Sequence, residues 1–430
     1  LAFADPDARR DAKPNAPVLV RLDPGYTSSA GLALYRAGEY LDDKSLKQAA
    51  IDVARALATA QEPTGRVPTR ALFGSGSRGQ DPPALVPDRA ATRGALALWL
   101  TILEDQTVRD ERLNRAAARA AAWLLRQQAP NGAFVVEFAV DGTNRGNPKL
   151  VRLDTPDYRD STLALLYAYE VLHDPALRLG AEKAVDQLLK FRFQLDQSRT
   201  AFGLWYTAYE PDGEPTKLIP DYPRGVDMLA TRYALETIQA MHVHLGHERC
   251  LTAMRDAAGG IKNLWRVDGQ WKRLYLLVRG ELPRITTTRP AEDSAPFSTG
   301  RKSAEIEALG DFGLETYLRG QAQIEALGRV AYRRELERTA PYTRRLADTL
   351  AGLTTGPVFR DLPATPEDAQ TVLADRAHWQ STEGPPPKSL PERTMRLYLL
   401  LERSRVERLA AHPPTSAPAT NPHPAPSASD

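Results

Sequence analysis

The sequence predicts an all-α protein, an (α/α) toroid of helical hairpins with long rim loops. Three observations predict it: a unit recurs along the chain, an aspartate stands before the second helix of each unit, and long Gly- and Pro-rich links separate the units. A recurring unit of this kind is typical of stacked supersecondary elements that share one continuous core. We therefore assign residues 27–349 to one toroid.

Each unit consists of an apolar helix, a polar turn and a second helix with small residues that permit close packing. The matching segments are Leu34-Tyr35 with Asp43-x-x-Leu46-x-x-Ala49-Ala50, Leu98-Trp99 with Asp110-x-x-Leu113-x-x-Ala116-Ala117, and Leu165-Leu166-Tyr167 with Asp174-x-x-Leu177-x-x-Gly180-Ala181. The three aspartates predict helix N-caps, because a carboxylate accepts hydrogen bonds from the free amides of a first turn. We expect two more degenerate units over residues 228–264 and 303–346.

Composition and the chain ends set further bounds. With 42% hydrophobic and 26% charged residues, the chain can bury a sizeable core. The formal charge of +2 and the lack of a long apolar run predict no nucleic-acid partner and no membrane span. The single cysteine, Cys250, excludes an intramolecular disulfide.

Outside the toroid we expect an N-terminal arm over residues 1–26 and a C-terminal extension over residues 350–410. The extension includes an amphipathic helix at residues 392–409, and a disordered Pro/Ala/Ser tail follows at 411–430. Because the chain begins with leucine rather than methionine, we expect a processed, secreted or periplasmic protein, and we expect a monomer.

Acidic residues stand before the first helix of three successive units: Asp88, the pair Asp157 and Asp160, and Asp227. Long loops on one rim of a rigid scaffold are where binding residues concentrate, so we expect Asp88 and Asp160 side by side, facing the ring axis. The alternative is that each aspartate only caps its helix and complements the helix dipole.

Several short motifs, in the same order along residues 27–290, resemble those of the family 10 pectate lyases. They are Asp88-Arg89-Ala90-Ala91-Thr92, the run Gln127-Gln128-Ala129-Pro130-Asn131-Gly132-Ala133-Phe134, Tyr158-Arg159-Asp160-Ser161-Thr162, Gly225-Val226-Asp227 and Trp271-Lys272-Arg273-Leu274-Tyr275. The resemblance implies a helical barrel that cleaves polygalacturonate, an acidic polysaccharide, by β-elimination with calcium as cofactor.

By position, the resemblance makes Asp88 and Asp160 calcium ligands at the substrate site and Arg273 a substrate-contacting arginine. Tyr158 and Asp227 belong to matching motifs and are expected to contact substrate as well. A polysaccharide lyase must neutralise the uronate carboxylate and remove the proton from C5. Hard oxygen ligands such as the two aspartates suit calcium.

The catalytic base is where this chain departs from the family. The family places an arginine in the segment that matches residues 215–221, and here that segment has none. The nearest cations are Lys217 and Arg224. A desolvated Lys217 could serve as the base, and a solvated loop lysine is the alternative. Trp205 stacks on a sugar ring or packs against a neighbouring hairpin.

Two other functions stay open at this point. The same toroid could use Asp88 and Asp160 as the acid/base pair of a glycoside hydrolase. Alternatively, loss of the base would leave a non-catalytic glycan-binding protein.

Overall fold

The computed structural model describes a helical core and the short strands around it. The described residues are 18–22, 27–73, 89–105, 107–137, 149–192, 203–216, 225–264, 266–275, 308–337 and 342–350. Most of the predicted arm, the extension, its helix at residues 392–409 and the tail lie outside these ranges.

The described chain forms eleven helices, and the first eight pair into four successive hairpins. The helices are α1 (Thr27–Leu41), α2 (Lys44–Ala60), α3 (Ala90–Glu104), α4 (Glu111–Arg126), α5 (Asp157–Leu172), α6 (Pro175–Lys190), α7 (Met228–Leu245), α8 (Glu248–Asn263), α9 (Leu314–Leu327), α10 (Arg329–Glu337) and α11 (Tyr342–Leu350). Helices α1, α3, α5 and α7 pack side by side as an inner layer, with α2, α4, α6 and α8 outside them. The predicted fold class, an (α/α) toroid of helical hairpins, is confirmed.

Burial distinguishes the two layers. All twelve residues of α3 from Ala91 to Ile102 are buried, and in α5 burial is continuous from Tyr158 to Ala168. Helix α4, in contrast, buries only the face that includes Leu113, with its charged residues on the opposite face. A helix surrounded by protein belongs to the inner layer, whereas a one-sided helix covers it.

The predicted N-caps are present at all three positions. Asp43 accepts hydrogen bonds from the amides of Ser45 and Leu46, and Asp110 from those of Arg112 and Leu113. Asp174 accepts one from Ala176, and Pro175 takes the first helical position, where no amide is needed.

A glutamine after the second helix ties each of the first two hairpins to the next. Gln61 Nε2 donates to the carbonyl of Gly65 in its own turn and to that of Ala116 in α4. Gln128 Nε2 repeats this with Gly132 and with Gly180 in α6. The glutamine and the Pro-x-Gly motif that recur in the sequence therefore form contacts between successive hairpins.

Short antiparallel strands at the helix ends are an addition to the all-α prediction. They are β1 (Val18–Arg21), β2 (Arg70–Phe73), β3 (Val136–Glu137), β4 (Lys149–Arg152), β5 (Ala208–Tyr209), β6 (Val226–Asp227), β7 (Trp271–Lys272), β8 (Leu274–Tyr275) and β9 (Leu309–Gly310). The sheets pair β1 with β2, β3 with β4 and β4 with β5, β6 with β8, and β7 with β9. Strands β1 to β6 lie in the segments that precede inner helices, and β8, which follows α8, pairs with β6 at the start of α7. The strands thus position residues at the N-terminal ends of the inner helices.

The last helix, α11, packs against α3 and α5. Its Arg344 lies 3.6 Å from Glu39 at the end of α1, and its Leu346, Ala347 and Leu350 are buried. This contact explains why α3 and α5 are buried on every side. None of the described helices is long and apolar enough to cross a bilayer.

Candidate functional site

The packing of α3 beside α5 brings two arginines onto one carboxylate. Arg89, which precedes α3, and Arg93, one turn into it, both donate to Asp157 at the start of α5. Arg93 Nη1 also donates to Ser161 Oγ at 2.9 Å. The side chains of Arg89 and Arg93 are 2% and 5% exposed, whereas that of Asp157 is 22% exposed. The acid is therefore the part of this cluster that solvent or a ligand reaches.

Charge, rather than burial, decides the ionisation of Asp157. Burial alone would raise its pKa, but the neighbouring guanidinium groups of Arg93 and Arg89 outweigh it and hold the pKa well below its usual range. Two arginines face this one acid, and the neighbouring Asp160, whose pKa is lowered in part by the charge of Arg93, contributes further negative charge beside them.

A second arginine cluster follows immediately on α5. Arg159 Nε lies 2.7 Å from Asp160 Oδ1, and its Nη1 lies 2.5 Å from Glu236 Oε2 on α7. Its guanidinium carbon sits 4.6 Å from the centroid of the Tyr233 ring. Burial raises the pKa of Asp160, and the charges of Arg159 and Arg93 offset part of that rise. Arg159 is thus a fixed cation between two inner helices.

A third cluster joins the end of β4 to the start of α7. Arg152 donates to both oxygens of Asp154 at 3.0 and 2.8 Å. Arg273, which separates β7 from β8, lies 3.5 Å from Asp154 Oδ2 and 3.6 Å from Asp227 Oδ2. Asp227 Oδ1 caps α7 by accepting from the amides of Leu229 and Ala230.

Asp227 is fully buried, and burial raises its pKa to about 6. The charge of Arg273 lowers the pKa and that of Asp154 raises it further. Because Asp227 is fully buried and caps α7, the expectation that it contacts substrate is corrected: it anchors the start of α7 and pairs with Arg273.

The structure places the predicted site residues unequally. Asp160, Asp227 and Arg273 lie in the arginine–carboxylate clusters at the N-terminal ends of the inner helices. Asp88, Lys217 and Arg224 lie outside the described residues, so the predicted proximity of Asp88 to Asp160 and the two predicted bases stay predictions.

Tyr158 and Trp205 are in the core, which corrects the expectation that they contact sugar. Tyr158 is 2% exposed and its hydroxyl donates to the Ala184 carbonyl. Trp205 is fully buried and its Nε1 donates to the Leu188 carbonyl. Both rings pack against neighbouring helices because their apolar bodies gain more from burial and their polar atoms find backbone partners there.

Sequence reasoning missed Arg93, Asp154 and Glu236. Arg93 follows Arg89 by four residues, so one helical turn places both on the same face. That spacing is a signal the sequence does carry. No local sequence pattern indicates that Glu236 contacts Arg159, because the two residues are 77 positions apart and lie on different helices.

Calcium takes about six to eight oxygen ligands. Asp157 directs both of its oxygens, and Asp160 directs its Oδ1, at guanidinium groups. The predicted partner of Asp160 in calcium binding, Asp88, lies outside the described residues, so calcium binding stays a prediction. Within the described ranges, no group of three or more His, Cys, Asp or Glu side chains is arranged to hold a metal ion.

The fold and the site together define a toroid of helical hairpins with buried arginine–carboxylate clusters at its rim. Solved structures that this chain is similar to include a family 10 polysaccharide lyase from Cellvibrio cellulosa, at 14% identity and a TM-score of 0.42, over 70% of this chain and 97% of that one. A mutant of that lyase in complex with trigalacturonic acid matches at 13% identity and a TM-score of 0.41, over 70% and 98% of the two chains.

Another similar structure is an unsaturated glucuronyl hydrolase from Bacillus sp. GL1, at 14% identity and a TM-score of 0.39, over 90% of this chain and 87% of that one. No protein-family model matches the chain, and no curated protein does.

Proposed function

We propose that this protein acts on uronate-containing polysaccharide or oligosaccharide and cleaves it by β-elimination. The observation that carries the proposal is the sharing of one partly exposed carboxylate, Asp157, by two buried guanidinium groups. Two guanidinium groups behind Asp157 offset the repulsion that an unpaired carboxylate at the rim would exert on an approaching uronate.

The chemistry of elimination needs such a cluster. The proton on C5 of a uronate becomes acidic only when the adjacent carboxylate is neutralised and the developing negative charge is stabilised. Guanidinium groups match carboxylates by paired hydrogen bonds, and arginine keeps its charge at any working pH. Arg89 and Arg93 are almost fully buried and donate to Asp157, so in this proposal they act on the developing charge through their electrostatic field and need little reorganisation.

Proton removal is assigned to Lys217 or Arg224, the cations nearest the segment in which the family places its arginine base. If one of them is the base, replacing it with methionine lowers kcat by about a hundredfold or more, the usual contribution of a positioned base. Lys149→Met, a change of an exposed lysine in β4, is the matched control and leaves kcat unchanged.

Calcium binding through Asp88 and Asp160 also stays a prediction of the resemblance, and no step of the proposal depends on it. It is tested by adding a chelator and then restoring calcium in excess. Activity that falls with the chelator and returns with calcium supports the cofactor, and activity that is indifferent to both removes it.

The proposal is tested by incubating the full chain with polygalacturonate and other acidic glycans while following the absorbance of unsaturated uronides. A rising signal that depends on protein concentration is the expected result. Absence of signal with every acidic glycan, in a folded sample, contradicts the proposal.

Hydrolysis on the same toroid, with Asp88 and Asp160 as the acid/base pair, is the second candidate. The side chain of Asp160 is 10% exposed and burial raises its pKa, and a carboxyl that retains its proton can serve as the acid. New reducing ends without unsaturated product select hydrolysis. Oligogalacturonide binding without either product selects a glycan-binding protein.

Secretion or export to the periplasm, and a monomeric state, belong to the proposal as well. An enzyme for polymeric glycan must meet a substrate that does not enter the cytoplasm. Light scattering of the eluted protein should give the mass of one chain, and fractionation of the source cells should place the protein outside the cytoplasm.

A further inference from the structure

An open groove lies between α5, α7, α10 and α11, beside the point at which α11 ends. The polar residues that line it and that solvent reaches include Arg232, Glu236, Arg345 and Thr349. Leucines from α5, α10 and α11 add apolar surface. Because the groove is not enclosed, it suits a segment of polypeptide that lies along it.

One cation in this groove has no counter-charge. Glu236 directs its Oε1 at Arg232 Nε and its Oε2 at Arg159 Nη1, so both of its oxygens are engaged. Arg345 is exposed, and no acid in the described part of the chain forms an ion pair with it. An exposed guanidinium group beside apolar surface favours a partner that carries both carboxylates and apolar side chains.

Helix α11 leads the chain that follows it toward this groove. At its start, Arg344 lies 3.6 Å from Glu39 and Thr343 hydrogen-bonds to Glu104, and these two acids lie at the C-terminal ends of α1 and α3. Because α11 packs along α3 and α5, it runs from there toward their N-terminal ends. The chain after Leu350 therefore leaves α11 on the side of the rim, next to the groove.

The sequence beyond α11 contains a segment of matching chemistry. Residues 361–375, which lie outside the described ranges, contain neither lysine nor arginine. Their acids are Asp361, Glu367, Asp368 and Asp375, and their larger apolar side chains are Leu362, Val372 and Leu373. The connection to α11, residues 351–360, spans at most about 35 Å, which is enough for the segment to return to a groove that α11 itself lines.

We propose that residues 361–375 bind in this groove of the same chain, with carboxylates at Arg345 and apolar side chains against its leucines. A short tether gives such a segment an effective concentration on the order of 1 mM, so a weak contact is enough to hold it. A second copy of the chain in a dilute sample competes at a much lower concentration. The inference concerns an interaction surface and does not rest on the proposed function.

Hydrogen exchange of the full chain, followed by mass spectrometry, tests the inference. We expect amides of residues 361–375 to exchange more slowly than in an unstructured peptide of the same sequence. Arg345→Glu places a like charge opposite the acids and should speed that exchange by about tenfold or more. Val372→Asp combined with Leu373→Asp should do the same, and it leaves every described residue unchanged.

Charge reversal on both sides tests whether the two surfaces meet. Adding Glu367→Arg and Asp368→Arg to Arg345→Glu should restore slow exchange, because the opposite charges face each other again. Arg115→Glu is the matched control, since Arg115 is 67% exposed on α4, and it should exchange like the parent. Circular dichroism verifies that each variant is folded.

Three results would overturn the inference. The first is rapid exchange of residues 361–375 in the parent, and the second is slow exchange that persists both in Arg345→Glu and in the variant with aspartates at positions 372 and 373. The third is protection that rises with protein concentration, which would show that the segment of a second copy occupies the groove. None of these measurements uses polysaccharide, so the outcome is independent of the cleavage assay.

Discussion

Asp157 determines the stability of the rim as well as its charge. Its two arginine partners are almost fully buried, and a buried cation without a counter-charge is costly. We expect Asp157→Asn to lower the free energy of unfolding by about 3 kcal/mol, the usual cost of removing one partner of a buried pair. Urea denaturation followed by circular dichroism measures it.

Asp52→Asn is the control for that change. The side chain of Asp52 is 63% exposed and 3.6 Å from Arg55, and exposed pairs contribute little. Its loss should alter the free energy of unfolding by less than about 0.5 kcal/mol. If the two variants are equally stable, Asp157 is not a buried counter-ion.

Asp227 should make stability depend on pH in the opposite sense to Asp157. Its folded pKa, about 6, lies above the unfolded value of about 3.9 for an aspartate. Its contribution to stability is therefore complete below pH 4 and is lost as the pH rises through 6. The lowered pKa of Asp157 gives a contribution that is complete above the unfolded pKa and is lost in acid.

Asp227→Asn isolates this effect, because asparagine caps a helix as well as aspartate does but does not ionise. Relative to the variant, the parent should lose about 3 kcal/mol of unfolding free energy between pH 4 and pH 8, since one pKa unit corresponds to about 1.4 kcal/mol. Urea midpoints at five pH values measure the difference. A difference that is constant with pH would show that Asp227 has an ordinary pKa.

At the residue scale, the sequence predicts which acids begin helices but not which cations they meet. Asp43, Asp110 and Asp174 cap their helices as their local sequence indicates. The pairing of Asp157 with Arg89 joins residues 68 positions apart. It depends on how α3 packs against α5, and no short motif records that.

At the element scale, glycines set the spacing between successive hairpins. Gly132 has a φ of +93°, and a Cβ there would lie 2.7 Å from the backbone of Lys183 in α6. Gly132→Ala should therefore lower the free energy of unfolding by more than about 1 kcal/mol, because both the conformation and the contact are unfavourable for alanine.

Gly259→Ala, within α8, is the opposite case. No atom lies within 4 Å of a Cβ at that position, and alanine favours helix over glycine by about 1 kcal/mol. This variant should gain stability. Thermal unfolding of both variants measures their melting temperatures. If both variants melt below the parent, the helical preference of alanine does not determine the effect at position 259.

The repeat itself was predictable for two hairpins and partly hidden in the third. Gly65 and Gly132 follow their glutamines by four positions, and both approach the next outer helix. Gly203 makes the corresponding approach, to Asp256 and Ala257 in α8, but follows Phe191 by twelve positions. Because the connection before Gly203 is longer, a comparison of the repeats that assumes a fixed spacing does not find this equivalent glycine.

At the scale of the whole molecule, the docking of α11 was not predictable. Its nine residues have the pattern of an ordinary amphipathic helix, and pattern alone does not specify a partner surface. The burial of α3 and α5 on every side indicates that some element covers them, because an inner helix without a polar face must also be packed on its inner side.

A core shared by successive hairpins predicts cooperative unfolding. Trp99 lies in α3, Trp123 in α4, Trp205 in the link before α7 and Trp271 in β7, and all four belong to one cluster of buried residues. Tryptophan fluorescence and far-ultraviolet circular dichroism should give the same urea midpoint. Two separate transitions would show that the hairpins fold as independent units.

The central claim is that the arginines behind Asp157 make the rim a site for an acidic sugar chain. Calorimetric titration with trigalacturonate tests it most directly, using the parent, Arg89→Gln, Arg93→Gln and the exposed control Arg115→Gln. The account predicts that the parent and the control bind alike and that each rim variant, verified as folded, binds at least about tenfold more weakly. Unchanged binding by both rim variants, or no binding by the parent, would contradict it.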